Sequence, residues 1–188
     1  MDELQDVVAL VARVRDHYVQ QFAAFATEQQ RSCVKGGAEV KFQLSEESGL
    51  FERLYCIDFV KNDEAVEPVE FQPEFVLTFD EVSTPFASAM LSIRHLRWDD
   101  VVIGHDASSL SEPELSQWFR LWFDPDDDRH DPEAKLAETI HSFSVQPSVL
   151  NVDFGTARPD AFWELLALLE SSGATAIRID SSPLAASP

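Results

Sequence analysis

The chain has 188 residues, 45% of them hydrophobic with 14 Phe, and a formal net charge of −20 at neutral pH. That length suits one domain, and the apolar content can fill a sizeable core. Charge of this size and sign repels nucleic-acid backbones and anionic lipid, so the expected partners are basic proteins or cations, with no nucleic acid and no membrane.

The acids are concentrated. Residues 45–81 hold eleven against Arg53 and Lys61, and residues 99–138 hold twelve against Arg120, Arg129 and Lys135. The start, MDELQDVV, lacks the basic region of a secretory signal, and no apolar run is long enough to span a bilayer. Cys33 and Cys56 make neither a CxxC nor a disulfide framework. Reduced thiols in a cytoplasmic protein are the expectation.

In chain order, Leu4, Val7, Val11, Val14, Tyr18, Phe22 and Phe25 recur in steps of three and four. This predicts one long helix over residues 2–31, laid on a sheet or forming a dimer seam, so both monomer and homodimer are compatible with the pattern. Strand-like alternation follows in Ala38–Leu44, Leu50–Lys61, Val66–Phe79 and Ser88–Arg97, with Val101–Ile103 as an extension. Pro68 and Pro73 place the third run at an edge or a bulge. Short polar connectors between these runs imply an antiparallel meander.

Ser111-Glu112-Pro113-Glu114 reads as a capping box opening an aromatic helix, and Asp131-Pro132-Glu133 as the start of another helix reaching about His141. The clearest unit is 148–181. Leu150, Val152 and Phe154 alternate with polar residues, Pro159 opens a helix, and Phe162, Leu165, Leu166 and Leu169 form its buried stripe. Gly173 closes the helix, and Ala174–Asp180 is the returning strand, so the unit is β-α-β. The fold class expected is therefore α+β: a long N-terminal helix on a mainly antiparallel sheet of about four strands, two further helices and a C-terminal β-α-β unit. Residues 1–181 form a single domain in this reading and 182–188 a flexible tail.

Chemistry is sparsely signalled. Asp124, Asp126 and Asp128 alternate in the loop DPDDDRHD, as hard oxygen ligands for Ca²⁺ or Mg²⁺ do, but Arg129 and Lys135 stand where a calcium loop needs glycine and glutamate. His95, and His105 with Asp106 beside it, form an alternative ligand or acid–base site if the fold brings them together. The segment has no GxSxG, HExxH or GK[ST], so no catalytic residue is assigned. Trp118, Phe119, Trp122 and Phe123 cover more than half of their helix's circumference, as a central core helix or a partner-binding surface would. With Asp126, Asp127 and Asp128 beside them, they are candidates for binding a basic protein. The function expected is thus a non-enzymatic interaction module, adaptor or immunity-like. The alternative is an enzyme or small-ligand protein, divalent-dependent, at the loop aspartates or the histidines.

Overall fold

The computed structural model describes residues 3–44, 50–129, 131 and 133–182, excepting the side chains at 50 and 52. The elements are α1 (Glu3–Arg31), β1 (Gly36–Gln43), α2 (Leu50–Arg53), β2 (Leu54–Asn62), β3 (Val66–Val69), β4 (Val82–Phe86), β5 (Ala89–Ile93), β6 (Val101–His105), α3 (Glu112–Phe123), β7 (Ser142–Gln146), β8 (Val149–Asp153), α4 (Pro159–Ser171) and β9 (Ala176–Asp180). The class is α+β, mostly antiparallel, as the patterns imply. The strands divide into a three-stranded sheet, β1-β2-β3, and a six-stranded sheet, β4-β5-β9-β6-β8-β7.

The stripe Val7, Val11, Val14, Tyr18 and Phe22 is buried inside the chain, where α1 lies against β1, β2, β4 and α4. Its apolar face is therefore used within the fold. β3 is an edge strand, with Pro68 opposite Val60, so the missing N–H is on the side proline tolerates. Beyond Val69 the run expected to be strand forms no ladder with any described residue. Residues 70–81 cross the molecule as an extended strap with no ladder partner.

The C-terminal β-α-β unit forms, but its two strands are not neighbours. β6 lies between them, antiparallel to both β8 and β9, so β8 and β9 run parallel one strand apart. Pro159 is in the first turn of α4, and Gly173 takes φ +87° past its end, where glycine avoids the Cβ clash. Ala161, Phe162, Leu165, Leu166 and Leu169 of α4 are buried in the apolar cluster that also receives Trp118, Phe119, Trp122 and Phe123 of α3.

Two local expectations are corrected. The capping box is not made, because the Ser111 side chain forms no cap hydrogen bond; its backbone oxygen accepts from Leu115 N. No helix runs from 131 toward His141. Asp131 closes a turn with Glu133 and Ala134, and the following amides have distant partners: Ala137 N donates to Glu39, Ile140 N to Trp122 O and His141 N to Asp153 O. Helix formation would forfeit these bonds. At the C-terminus Ser182 N donates to Asp100. Residues 183–188 of the expected tail lie outside the described residues.

Candidate functional site

The four α3 aromatics are not surface anchors. Their exposures run from 0% to 4%, and two are fixed by polar bonds as well: Trp118 Nε1 donates to Ala161 O and Trp122 Nε1 to Glu164. A helix apolar on more than one face is central here because α4, β7 and α2 pack around it. Leu121 is the exposed apolar residue of α3.

The loop aspartates hold the chain. Asp124 ends α3 with φ +52°, and its carboxylate accepts Asp128 N and Arg129 N, both at 3.0 Å. Asp127 pairs with Lys41 at 2.5 Å, while Asp126 and Asp128 face solvent. Among the described residues, no group of three or more His, Cys, Asp or Glu is placed to hold a metal ion.

The expected histidine pair does not converge. His95 follows β5 and contacts Asp180 at 2.9 Å, at the end of β9; His105 ends β6 opposite Ile177, near the start of β9. β9 keeps them apart. Asp106 does not orient His105. It accepts from Thr175 N, Ala176 N and the Thr175 hydroxyl, and those bonds lower its pKa from 3.8 to about 2. His105 is buried without a ring hydrogen bond, and burial depresses its pKa, against the pull of Asp106.

What the fold does assemble is a polar cluster at the junction of the two sheets. In the β1–β2 register Ala38 faces Phe59 and Val40 faces Ile57, which sets Glu39 opposite Asp58 on one face. His141, just before β7, inserts between them. Its Nε2 donates to Glu39 Oε1 at 3.1 Å, and its Nδ1 lies 3.0 Å from Asp58 Oδ1 in a bent contact. Asp153 Oδ2 is 4.0 Å from Nδ1. The Thr156 hydroxyl also donates to Glu39 Oε1, and Ala137 N donates to Oε2 at 2.6 Å. Backbone joins the sheets at the same point, with Cys56 N donating to His141 O at 2.8 Å.

Steric fit around the ring is close. A Cβ added to Gly155, which has φ +49°, would lie 2.2 Å from His141 Cδ2. Phe22 packs edge-on to the imidazole with centroids 5.6 Å apart. Glu39 itself has φ +53°, a strained value for a non-glycine residue, held by its three side-chain partners.

Burial disfavours an imidazolium here, but the carboxylates of Asp58, Glu39 and Asp153 around the ring outweigh it, and the His141 pKa stands well above 6.5. Burial pushes the Cys56 thiol up to about 12, so it is neutral. Asp153 rises to about 7, chiefly through burial, with His141 pulling the other way. Since 27% of its side chain still meets solvent, its effect on stability is softened. This carboxyl faces a cleft of 400 Å³ shared with Phe51, Tyr55, Asp99, Asp100 and Asn151. On the other side Glu39 walls a cleft of 620 Å³ with Lys41, Arg129, Lys135 and Arg158. Arg129 and Arg158 both lie 5.6 Å from the Trp122 ring.

No family model matches this chain, and neither the curated proteins nor the solved structures include a detectable relative. The cluster must therefore be read from its own chemistry. Glu39, Asp58, Asp153 and Thr156 carry no motif in the sequence. One signal was present: Asp58 alternates with Cys56 and Val60, so an acid occurs on an apolar strand face. Among the described residues no helix is long and apolar enough to cross a membrane.

Proposed function

We propose that this protein is a cytoplasmic, non-enzymatic interaction module, adaptor or immunity-like, that binds a basic protein on the surface formed by β3 and the 70–81 strap. The observation that carries the reading is the composition and exposure of residues 62–93. They contain Asp63, Glu64, Glu67, Glu70, Glu74, Asp80 and Glu81, all exposed, and no Lys or Arg. Among the described residues none of the seven is in an ion pair. Val66 and Phe75 are 63% and 67% exposed within this field. Apolar anchors ringed by one sign of charge suit a partner of opposite charge, with the charges setting encounter rate and the anchors residence time.

The test is retention of a basic protein from the native extract at low and high salt. The variant combines Glu64→Gln, Glu67→Gln, Glu70→Gln and Glu74→Gln with Phe75→Ser. Retention that falls with salt and disappears in the variant supports the reading. Retention unchanged by the variant overturns it for this surface.

A second reading is favoured by Asp153, whose pKa of about 7 in an open cleft beside His141 suits acid–base work on a small ligand at neutral pH. Its divalent-dependent form would use the exposed Asp126 and Asp128, with Asp124 already committed to two amides. Stabilisation selective for Ca²⁺ or Mg²⁺ and absent in Asp126→Asn/Asp128→Asn would support that form. Equal stabilisation by any salt would dismiss it.

A further inference from the structure

We infer that the His141 cluster regulates the docking strap: a proton held at the sheet junction keeps residues 70–81 in place, and its loss releases them. The biological meaning of this rests on the docking reading above; the coupling itself does not.

Asp58 carries the connection. One of its oxygens faces His141 Nδ1 at 3.0 Å, and the other accepts Phe71 N at 2.7 Å. The strap's first anchored amide and the imidazole thus share one carboxylate. A second link is aromatic. The Phe71 ring lies 5.5 Å from Tyr18, 5.4 Å from Phe22 and 5.1 Å from Phe25, and Phe22 is the ring set edge-on to His141. Further along, one side chain clamps the strap. Gln21 Oε1 accepts from Glu74 N and Phe75 N, and its Nε2 donates to Phe75 O at 2.9 Å. Residues 70–81 have no ladder partner among the described residues, so these side-chain bonds, the buried Pro73 and the packing of Phe71, Leu77 and Phe79 on the core are what hold them.

The groups facing the ring define what deprotonation does. Glu39 comes from β1, Asp58 and Cys56 from β2, Asp153 from β8, Thr156 from the loop after it, and Phe22 from α1, with Tyr18 behind it against Phe22 and Phe71. With the proton on, a cation separates Glu39 and Asp58. With it off, two carboxylates face each other across the ladder with no charge between them, which is unfavourable. Asp58 is the partner with a route to solvent, being 16% exposed against 2% for Glu39. As Asp58 turns outward the Phe71 amide loses its acceptor. Asp153, ionising around pH 7, adds negative charge beside the ring and moves the release to higher pH. The Cys56 thiol and the Tyr18 hydroxyl, both pushed up mainly by burial, remain neutral through this range.

The experiment follows the free protein by NMR from mildly acidic to alkaline pH, reading the His141 ring and the amides of Phe71, Glu74 and Phe75. Hydrogen exchange is corrected for its intrinsic pH dependence, with α4 as internal reference. The expected result is one midpoint shared by the His141 ring and the Phe71 amide shift, with strap protection falling up to about tenfold per pH unit as pH rises toward that midpoint and levelling off above it, while α4 stays far better protected than the strap throughout. In Asp58→Asn, which keeps a carbonyl acceptor for Phe71 N, the strap's pH dependence should vanish. Different midpoints for ring and amide overturn the inference on the wild-type protein alone, whatever the variant does. So does strap protection equal in size to that of α4 at every pH, which would make the opening global. A strap that titrates as expected but binds no basic protein refutes the docking reading and leaves the coupling intact.

Discussion

Beneath α4, Trp98 stacks on Phe154 at 4.7 Å and Phe154 packs tilted against Phe162 at 5.8 Å, within the apolar cluster. At the junction of the two sheets an equally buried side chain, His141, is enclosed by carboxylates. The first region gains from every apolar atom removed from water, about 1.5–3 kcal/mol for a fully buried large side chain. The second gains nothing from burial as such and depends on charge balance, since a buried ion without its partner is costly. One region tolerates any pH; the other is defined by a proton.

Two substitutions of comparable size separate these regimes. Phe162→Ala should cost about 3–5 kcal/mol in denaturant unfolding, by the same amount at every pH at which the protein is folded. Glu39→Ala should also cost about 3–5 kcal/mol, the larger part only where His141 carries its charge and a smaller part at every pH, because the Thr156 hydroxyl and Ala137 N lose their acceptor. Because the folded-state pKa of His141 is raised, the wild-type contribution is complete below about pH 6.5 and lost as pH rises through the folded value. The Phe162→Ala cost should therefore stay constant with pH, while the Glu39→Ala cost shrinks as pH rises through the His141 value. Equal pH profiles for both would remove the distinction between the regions.

Gly155→Ala is expected to cost about 2–3 kcal/mol, through the left-handed backbone and the clash with the imidazole together. Its diagnostic feature is a shifted His141 titration, which ring NMR reads directly. A variant that loses stability with His141 unmoved would assign the effect to backbone strain alone.

The smallest effect tests the opposite pH limb. Asp106 has a folded pKa of about 2 against an ordinary 3.8, so its stabilisation is present above about pH 3.8 and lost as pH falls toward 2. Asp106→Asn should flatten the acid side of the stability profile and leave the alkaline side, which belongs to His141, as it was. Thermal unfolding across both limbs checks this.

Elements built on periodicity were legible. The α1 stripe, the alternation in β1, β2 and β8, the edge position of Pro68 and the β-α-β unit with Pro159 and Gly173 at the helix ends are where local pattern put them. Capping and loop chemistry read less well. Ser111 leaves its cap unmade, and the stretch before His141 gives up helix for bonds to Glu39, Trp122 and Asp153. The aromatic surface of α3 was ambiguous from sequence, because a helix buried on several faces and one meeting a partner have the same composition.

The sequence by itself determined the extreme acidity, the α+β class, the long first helix and the closing β-α-β unit, since charge and repeat period are properties of neighbouring residues. Only the tertiary structure decided that the α3 aromatics are core, that Asp106 secures β9 instead of serving His105, and that Glu39, Asp58, His141, Asp153 and Thr156 meet. Those five lie up to 117 positions apart. Their juxtaposition follows from the β1–β2 register and the docking of one sheet against the other, which no local pattern encodes.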